Sequence, residues 1–358
     1  MPDPDQPFSV HYPAGHEVIP PTGVVFAPGG QLSGPLRASL VAGMKFSGKR
    51  NALKGVSGEP IGEMEIGASW IRQKFDNGSM YYEFGSPSGK GPFWVEKEFD
   101  SYYQPPGQGD LGATGGPGGI LGGPTGDTVA FDDEGGRFTP FEHAHLFWWP
   151  DVGVRALPEN GQVAVEFTNL HCSRETSNDQ LSAADEPYVI FAVIGPDATT
   201  TLLTTTYGDV DAGDNRTERM VLYAGSPAGL AIGTVLREWD MGNPQEAKKA
   251  VEETVDSLVR TAGLALKYVP GFGQVLLLGL TLIGLLADAL SEPISKALDL
   301  EDDTLGAASL SLTAKSMVLG ATDAMPMEGG LPRPLPIGSL RFLGDGGDYT
   351  ASFGVRLA

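Results

Sequence analysis

The chain has 358 residues, 41% of them hydrophobic, with 50 glycines, 28 prolines, one cysteine and a formal net charge of -21. Such a length accommodates two or three domains with cores of their own. The charge excludes a nucleic-acid or anionic-lipid surface over most of the molecule, and the single cysteine excludes an intrachain disulfide. An ordinary hydrophobic content combined with this much glycine and proline predicts a folded, turn-rich, mainly β protein.

The opening residues, MPDPDQPFSV, carry neither a basic region nor an apolar run. No Sec-type signal is visible: the chain either stays in the cell or leaves by a route that does not read one, and a mature chain restarted at an added Met would read the same. Residues 1–54 read as an N-terminal segment, with an incomplete repeat unit between His11 and Lys54.

Two stretches then repeat one pattern. GEPIGEMEIGASWIRQKFDNGSMYY runs from Gly58 to Tyr82, and LGGPTGDTVAFDDEGGRFTPFEHAHLFWWP from Leu121 to Pro150. Phe75 stands to Ser79, Met80, Tyr81 and Tyr82 as Phe141 stands to His145, Leu146, Phe147 and Trp148. Each copy has glycine and proline at its head, an acidic residue soon after, one phenylalanine, then a polar-apolar-aromatic-aromatic run, the kind of self-similarity that marks a repeat. Between them Val95 to Tyr103 predicts a short helix, stopped by Pro105, Pro106 and the glycines that follow.

Leu121, Gly122, Pro124 and Thr125, followed by Gly136, Phe141, Phe147, Trp148, Pro150 and Gly153, resemble the LGFP repeat of actinobacterial cell-envelope proteins. Gly58, Pro60, Glu63, Phe75, Gly78, Tyr81, Tyr82 and Gly89 make the upstream stretch a more divergent copy. The copies span 55–103 and 120–157, within a domain over 55–158. The resemblance implies a binding role rather than catalysis, with peptidoglycan or another cell-wall glycan as partner and an extracellular or envelope-associated location. Electron-rich ring faces stack on the apolar C–H faces of sugars, which makes Tyr81, Tyr82, Phe147, Trp148 and Trp149 the candidate glycan contacts. Neighbouring strand residues point to opposite faces, so at least one aromatic per copy is expected at the surface. The alternative is that these rings fill the small core of each repeat.

Residues 159–358 follow another pattern. A strand from Val163 to Leu170 enters a polar loop. Asp185-Glu186-Pro187-Tyr188-Val189 starts the next apolar strand, a further strand ends at Trp239-Asp240, and Asp302-Asp303 precede Thr-Leu-Gly and an alternating strand. This series resembles the C2 β-sandwich, departing from it at Met241, where a further aspartate is common, and in a long insertion between Asp240 and Asp299. The resemblance implies that Asp179, Asp185, Asp240, Asp302 and Asp303 converge on Ca²⁺, which takes six to eight oxygen ligands. Solvated turn acids are the other reading of the same residues. GDVDAGDN, 208–215, is not an EF-hand loop, because its glycine is misplaced.

The insertion, 244–297, reads as a helical hairpin. Asn243 caps, Pro244 takes the first helical position and Glu246 the third. Val251, Val255, Leu258, Val259 and Ala262 form one apolar stripe. VPGFG, 269–273, breaks the chain before a nearly all-apolar second segment. Its unbroken apolar run is shorter than the roughly 20 residues that span hydrocarbon, which favours a buried helix over a membrane one.

Catalytic patterns are wanting. Gly107 to Gly112 fits GxGxxG but follows two prolines instead of a strand, and neither a P-loop nor GxSxG occurs. His143, His145, His171 and Cys172 invite a zinc reading, against which His145 holds the repeat position of Ser79. The sequence thus predicts a mainly β protein with some α, an LGFP-type repeat domain followed by a C2-like antiparallel sandwich with an inserted helical hairpin. Its expected function is non-catalytic envelope binding, adhesion or targeting. The competing classes are a membrane-active effector using the hairpin 244–297 and a structural component of a larger assembly.

Overall fold

The computed structural model describes residues 34–84, 90–104, 116–132, 134–158, 161–176, 185–196, 199–239, 243–262, 267–269, 273–275, 304–323, 327–328, 331–332 and 334–358. They are mainly β, in antiparallel sheets. The chain divides into two compact units, Met1–Gly119 with Gly123–Asp127, and Ile120–Gly122 with Thr128–Ala358.

In the first unit, helix α1 (Gly34–Ala52) precedes a four-stranded meander of β1 (Pro60–Ile66), β2 (Trp70–Phe75), β3 (Gly78–Glu83) and β4 (Lys90–Glu96). Helix α2 (Lys97–Tyr103) follows, two residues shorter than the sequence predicts because β4 runs on to Glu96. Strand alternation splits the side chains between two faces. Ile71, Phe75, Met80 and Tyr82 pack with Ala42 and Phe46 of α1. Trp70, Arg72, Ser79 and Tyr81 turn to the other face, where Phe99 and Tyr103 of α2 are fully buried.

The second unit opens with another meander, β5 (Val129–Ala130), β6 (Arg137–Pro140), β7 (Ala144–Trp149) and β8 (Gly153–Pro158). Its register matches the first. Lys74 faces Ser79 and Arg72 faces Tyr81 across β2 and β3, as Pro140 faces His145 and Phe138 faces Phe147 across β6 and β7. The heads match as well. Gly58 (φ +75) backs onto Asp76, and Gly122 (φ +70) backs onto Glu142. The amide of Asn77 donates to the Ser57 carbonyl at 3.2 Å, and that of His143 to the Leu121 carbonyl at 3.0 Å. Both glycines hold a left-handed turn in which a Cβ would strike an acidic side chain.

Eight further strands form two sheets. β9 (Val163–Arg174), β10 (Pro187–Ile194), β11 (Thr199–Leu203), β12 (Asn215–Gly225) and β13 (Leu230–Glu238) come before helix α3 (Pro244–Ala262) and a small hairpin of β14 (Lys267–Val269) and β15 (Gly273–Val275). After β16 (Thr304–Leu312), helix α4 (Ala314–Thr322) and the short pair β17 (Met327–Glu328) and β18 (Leu331–Pro332), the chain closes with β19 (Leu335–Gly344) and β20 (Gly347–Leu357). The sheet orders are β11-β10-β13-β16 and β12-β9-β20-β19. They pack face to face: Phe167 and Phe353 of one sheet meet Phe191 of the other at 5.1 and 6.1 Å between ring centroids.

β10 is buried along its whole length, and that explains its unbroken apolar run. Val189, Phe191 and Val193 face the opposing sheet, while Tyr188, Ile190, Ala192 and Ile194 lie under Ala247, Val251 and Val255 of α3. The expected helix start holds. Asn243 Oδ1 accepts from the Gln245 amide at 3.1 Å, and its Nδ2 donates to Glu246 at 3.2 Å. The break expected at 269–273 falls between the paired strands β14 and β15, with Val269 opposite Gly273; residues 270–272 lie outside the described residues. The second arm of the expected helical hairpin would start at Gln274, but Gln274 and Val275 belong to strand β15; its remainder, 276–297, lies outside the described residues. Among those that are described, no helix is long and apolar enough to cross a membrane.

The unit boundary differs from the one the sequence suggests. A repeat domain ending at residue 158 would keep both meanders together, yet Phe131, Phe138, Phe147, Trp149 and Leu157 share one continuous core with Val163, Phe167 and Phe353. The second meander is therefore built into the unit of the two facing sheets, and the division falls at Asp127/Thr128. Hydrophobic burial decides this, since each such side chain removed from water contributes about 1.5–3 kcal/mol.

Candidate functional site

A cavity of about 300 Å³ lies in the first unit, on the face of the meander that carries α2. It is lined by Trp70, Arg72 and Tyr81, by Glu65 and Ile66 of β1 with Gly67 to Ser69 of the β1–β2 turn at its rim, and by Gln104, Pro117 and Gly118. Gly123 backs Trp70 so closely that a Cβ there would stand 2.1 Å from the indole Cζ2. Only a glycine lets the backbone lie against that ring.

The polar part of the site is one connected network. Arg72 Nε donates to Ser79 Oγ at 3.0 Å, Nη1 to Glu65 at 3.1 Å, and Nη2 to Asp100 Oδ2. Asp100 also accepts from Ser79 Oγ at 2.9 Å and from the Tyr81 hydroxyl at 2.6 Å. Glu65 has a second cation in Lys74 at 2.5 Å. Burial opposes ionisation of Glu65, but the hydrogen bond from Lys74 and the charge of Arg72 outweigh it and hold the carboxyl below its ordinary range. For Arg72, burial disfavours the charge, and Tyr81, Asp100 and Glu65 together more than restore it. Burial first, and then the Asp100 carboxylate, push the Tyr81 hydroxyl well up, so it stays a donor.

The five aromatic candidates are divided between the two units, Tyr81 and Tyr82 in the first and Phe147, Trp148 and Trp149 in the second. Tyr81 is fully buried under Tyr103, its ring 5.6 Å away edge-on, and it borders the cavity without an exposed ring face. Tyr82 is 6% exposed and packs on α1, where Lys45 Nζ sits 4.6 Å from its ring. Phe147 and Trp149 are fully buried and stacked, with Trp149 Nε1 donating to Asp132 at 2.8 Å. Only Trp148, opposite Arg137, is partly exposed. The expectation of a surface aromatic is corrected for Tyr81 and Tyr82 of the first copy. Alternation does send Tyr81 and Tyr82 to opposite faces, but a helix covers each face, so neither ring is left at the surface.

The Ca²⁺ candidates are placed only in part. Asp179, Asp240, Asp302 and Asp303 lie outside the described residues. Asp185 is 1% exposed and accepts from the Thr176 amide at 2.9 Å, the Thr176 hydroxyl at 2.8 Å and the Tyr349 hydroxyl. Both its oxygens thus serve to tie the entry of β10 to β9 and β20. Among the described residues no three His, Cys, Asp or Glu side chains are grouped to hold a metal ion.

Sequence reasoning missed Trp70, Arg72 and Asp100. A position-by-position comparison of the two copies carries the signal for Arg72. It holds the register position of Phe138, as Tyr81 holds that of Phe147 and Ser79 that of His145. In the second copy these positions are core, and Phe138 and Phe147 stand 5.1 Å apart. The meander therefore folds with apolar groups where the first copy spends a buried ion pair. No protein-family model matches the chain, and no curated protein matches it.

Proposed function

We propose that this is a non-catalytic protein of the cell envelope, which binds wall glycan or peptidoglycan for adhesion or targeting and engages its ligand at the cavity of the first copy. The observation that carries this reading is the presence of Arg72 and Tyr81 at the positions of Phe138 and Phe147 in a meander of matching register. A buried ion pair is often no more stabilising than the apolar residues it replaces. Its presence in one copy alone points to a requirement other than packing, and it borders a cavity furnished with an indole ring. A concave site with a few fixed polar groups beside an aromatic suits a small polar ligand.

The test is retention on purified actinobacterial cell walls. Ala68, exposed on the rim, is replaced in Ala68→Trp to plug the cavity without touching the core. Trp148→Ala removes the partly exposed ring of the second copy. Retention that survives Trp148→Ala and is lost in Ala68→Trp supports the cavity. Equal retention of all three proteins removes the cavity from the function, and no retention of the wild type removes the function itself.

A further inference from the structure

We infer that the ligand taken by this cavity is an uncharged sugar ring, and that acidic saccharides are excluded from it. This rests on the glycan reading above and adds the ligand's charge class. The argument is one of commitment. The cations at the site, Arg72 and Lys74, face the anions Glu65 and Asp100 in closed pairs. Each guanidinium nitrogen of Arg72 already donates to a partner within the unit.

An anionic ligand bound at Arg72 would either draw it away from Glu65 or Asp100 or lie beside both carboxylates. In the first case the Asp100 carboxylate, whose side chain is 13% exposed, would be left in a poorly solvated place without its counterion. Breaking a buried pair in that way costs more than a single new ion pair at a cavity mouth returns. A cationic ligand meets the mirror problem, since Glu65 is held by both Lys74 and Arg72. The chain's net charge of -21 adds a long-range penalty for anions. An uncharged polyhydroxylated ring disturbs none of the pairs. It has an apolar face to set against Trp70 and hydroxyls for the Ser69 and Gln104 side chains on the wall. The volume, at the lower end for small-molecule pockets, fits a ring or short segment better than a long stretch of chain.

The experiment uses the full chain and competition on walls. Wall polysaccharide is partly hydrolysed, and the oligosaccharides are separated by anion exchange into an uncharged and an acidic pool. The uncharged pool is expected to release wall-bound protein at a concentration at least tenfold lower than the acidic pool. Direct titration of the uncharged pool should give binding that 0.5 M NaCl leaves unchanged and Ala68→Trp abolishes. Preferential release by the acidic pool overturns the inference, as does the lack of any Ala68→Trp-sensitive binding of uncharged saccharide. If wall retention is still lost in Ala68→Trp in those cases, the glycan reading stands. If Ala68→Trp is retained like the wild type, the glycan reading at this cavity fails independently.

Discussion

Arg72 of β2 and Phe138 of β6 occupy the same register position in two matching meanders, one facing Tyr81 and the other Phe147. The pair sets the cost of the site. Arg72→Ala would leave Asp100 without its counterion, and we expect a loss of about 3–5 kcal/mol in urea unfolding. The triple change Arg72→Met, Tyr81→Phe and Asp100→Leu removes both charges and the dependent hydroxyl together. It should unfold within about 1 kcal/mol of the wild type and lose wall retention. A triple variant as unstable as the single one would mean that the network is structural.

Gly123 and Trp70 give a second check on the cavity wall. With an ideal Cβ placed 2.1 Å from Cζ2, Gly123→Ala must displace the indole. Overpacking of this kind costs about 1–3 kcal/mol. The expected result is a lower melting temperature together with weaker wall retention, and a shifted indole Nε1–H resonance of Trp70 would locate the change.

Asp132 anchors the turn of the second meander. Its Oδ1 accepts from the amides of Gly136 at 2.7 Å and Glu134 at 3.1 Å, while Oδ2 takes the Trp149 indole N–H. Asp132→Ala strands the N–H of a fully buried tryptophan, and a penalty of about 1–3 kcal/mol follows. Chemical denaturation measures it. Wall retention at a non-denaturing concentration should be unchanged, since this turn belongs to the second unit.

His145 makes stability depend on pH. Burial pushes its imidazole down to about 4 from an ordinary 6.5. The unfolded chain therefore binds a proton at this residue between pH 6.5 and 4 that the folded chain does not. Its contribution is fully present above pH 6.5 and is lost as pH falls towards 4, to an extent on the order of a few kcal/mol. His145→Phe removes the titrating group while keeping a ring beside Phe138, 5.3 Å away. Its unfolding free energy should fall less steeply from pH 7 to pH 4 than that of the wild type, and an unchanged slope would refute the assignment.

Much of this protein follows from patterns local to the chain. Glycine and proline content foretold mainly β structure, and the spacing from Phe75 to Tyr82 and from Phe141 to Trp148 foretold a repeated unit whose two copies share one register. Asn243, Pro244 and Glu246 marked the start of α3, because a cap involves only the residues of one turn. Burial of the aromatics was another matter. Period-2 alternation separates Tyr81 from Tyr82 but says nothing of what covers each face, and only packing showed α2 over one and α1 over the other. The unit boundary was also a tertiary decision, because Phe147 and Trp149 could close a small repeat core or join a larger one, and the larger core buries more apolar surface. Arg72 and Asp100, remote in sequence, became partners only when α2 was laid on the sheet. An ion pair across elements leaves no periodic trace in the chain, since its two halves answer to different local rules.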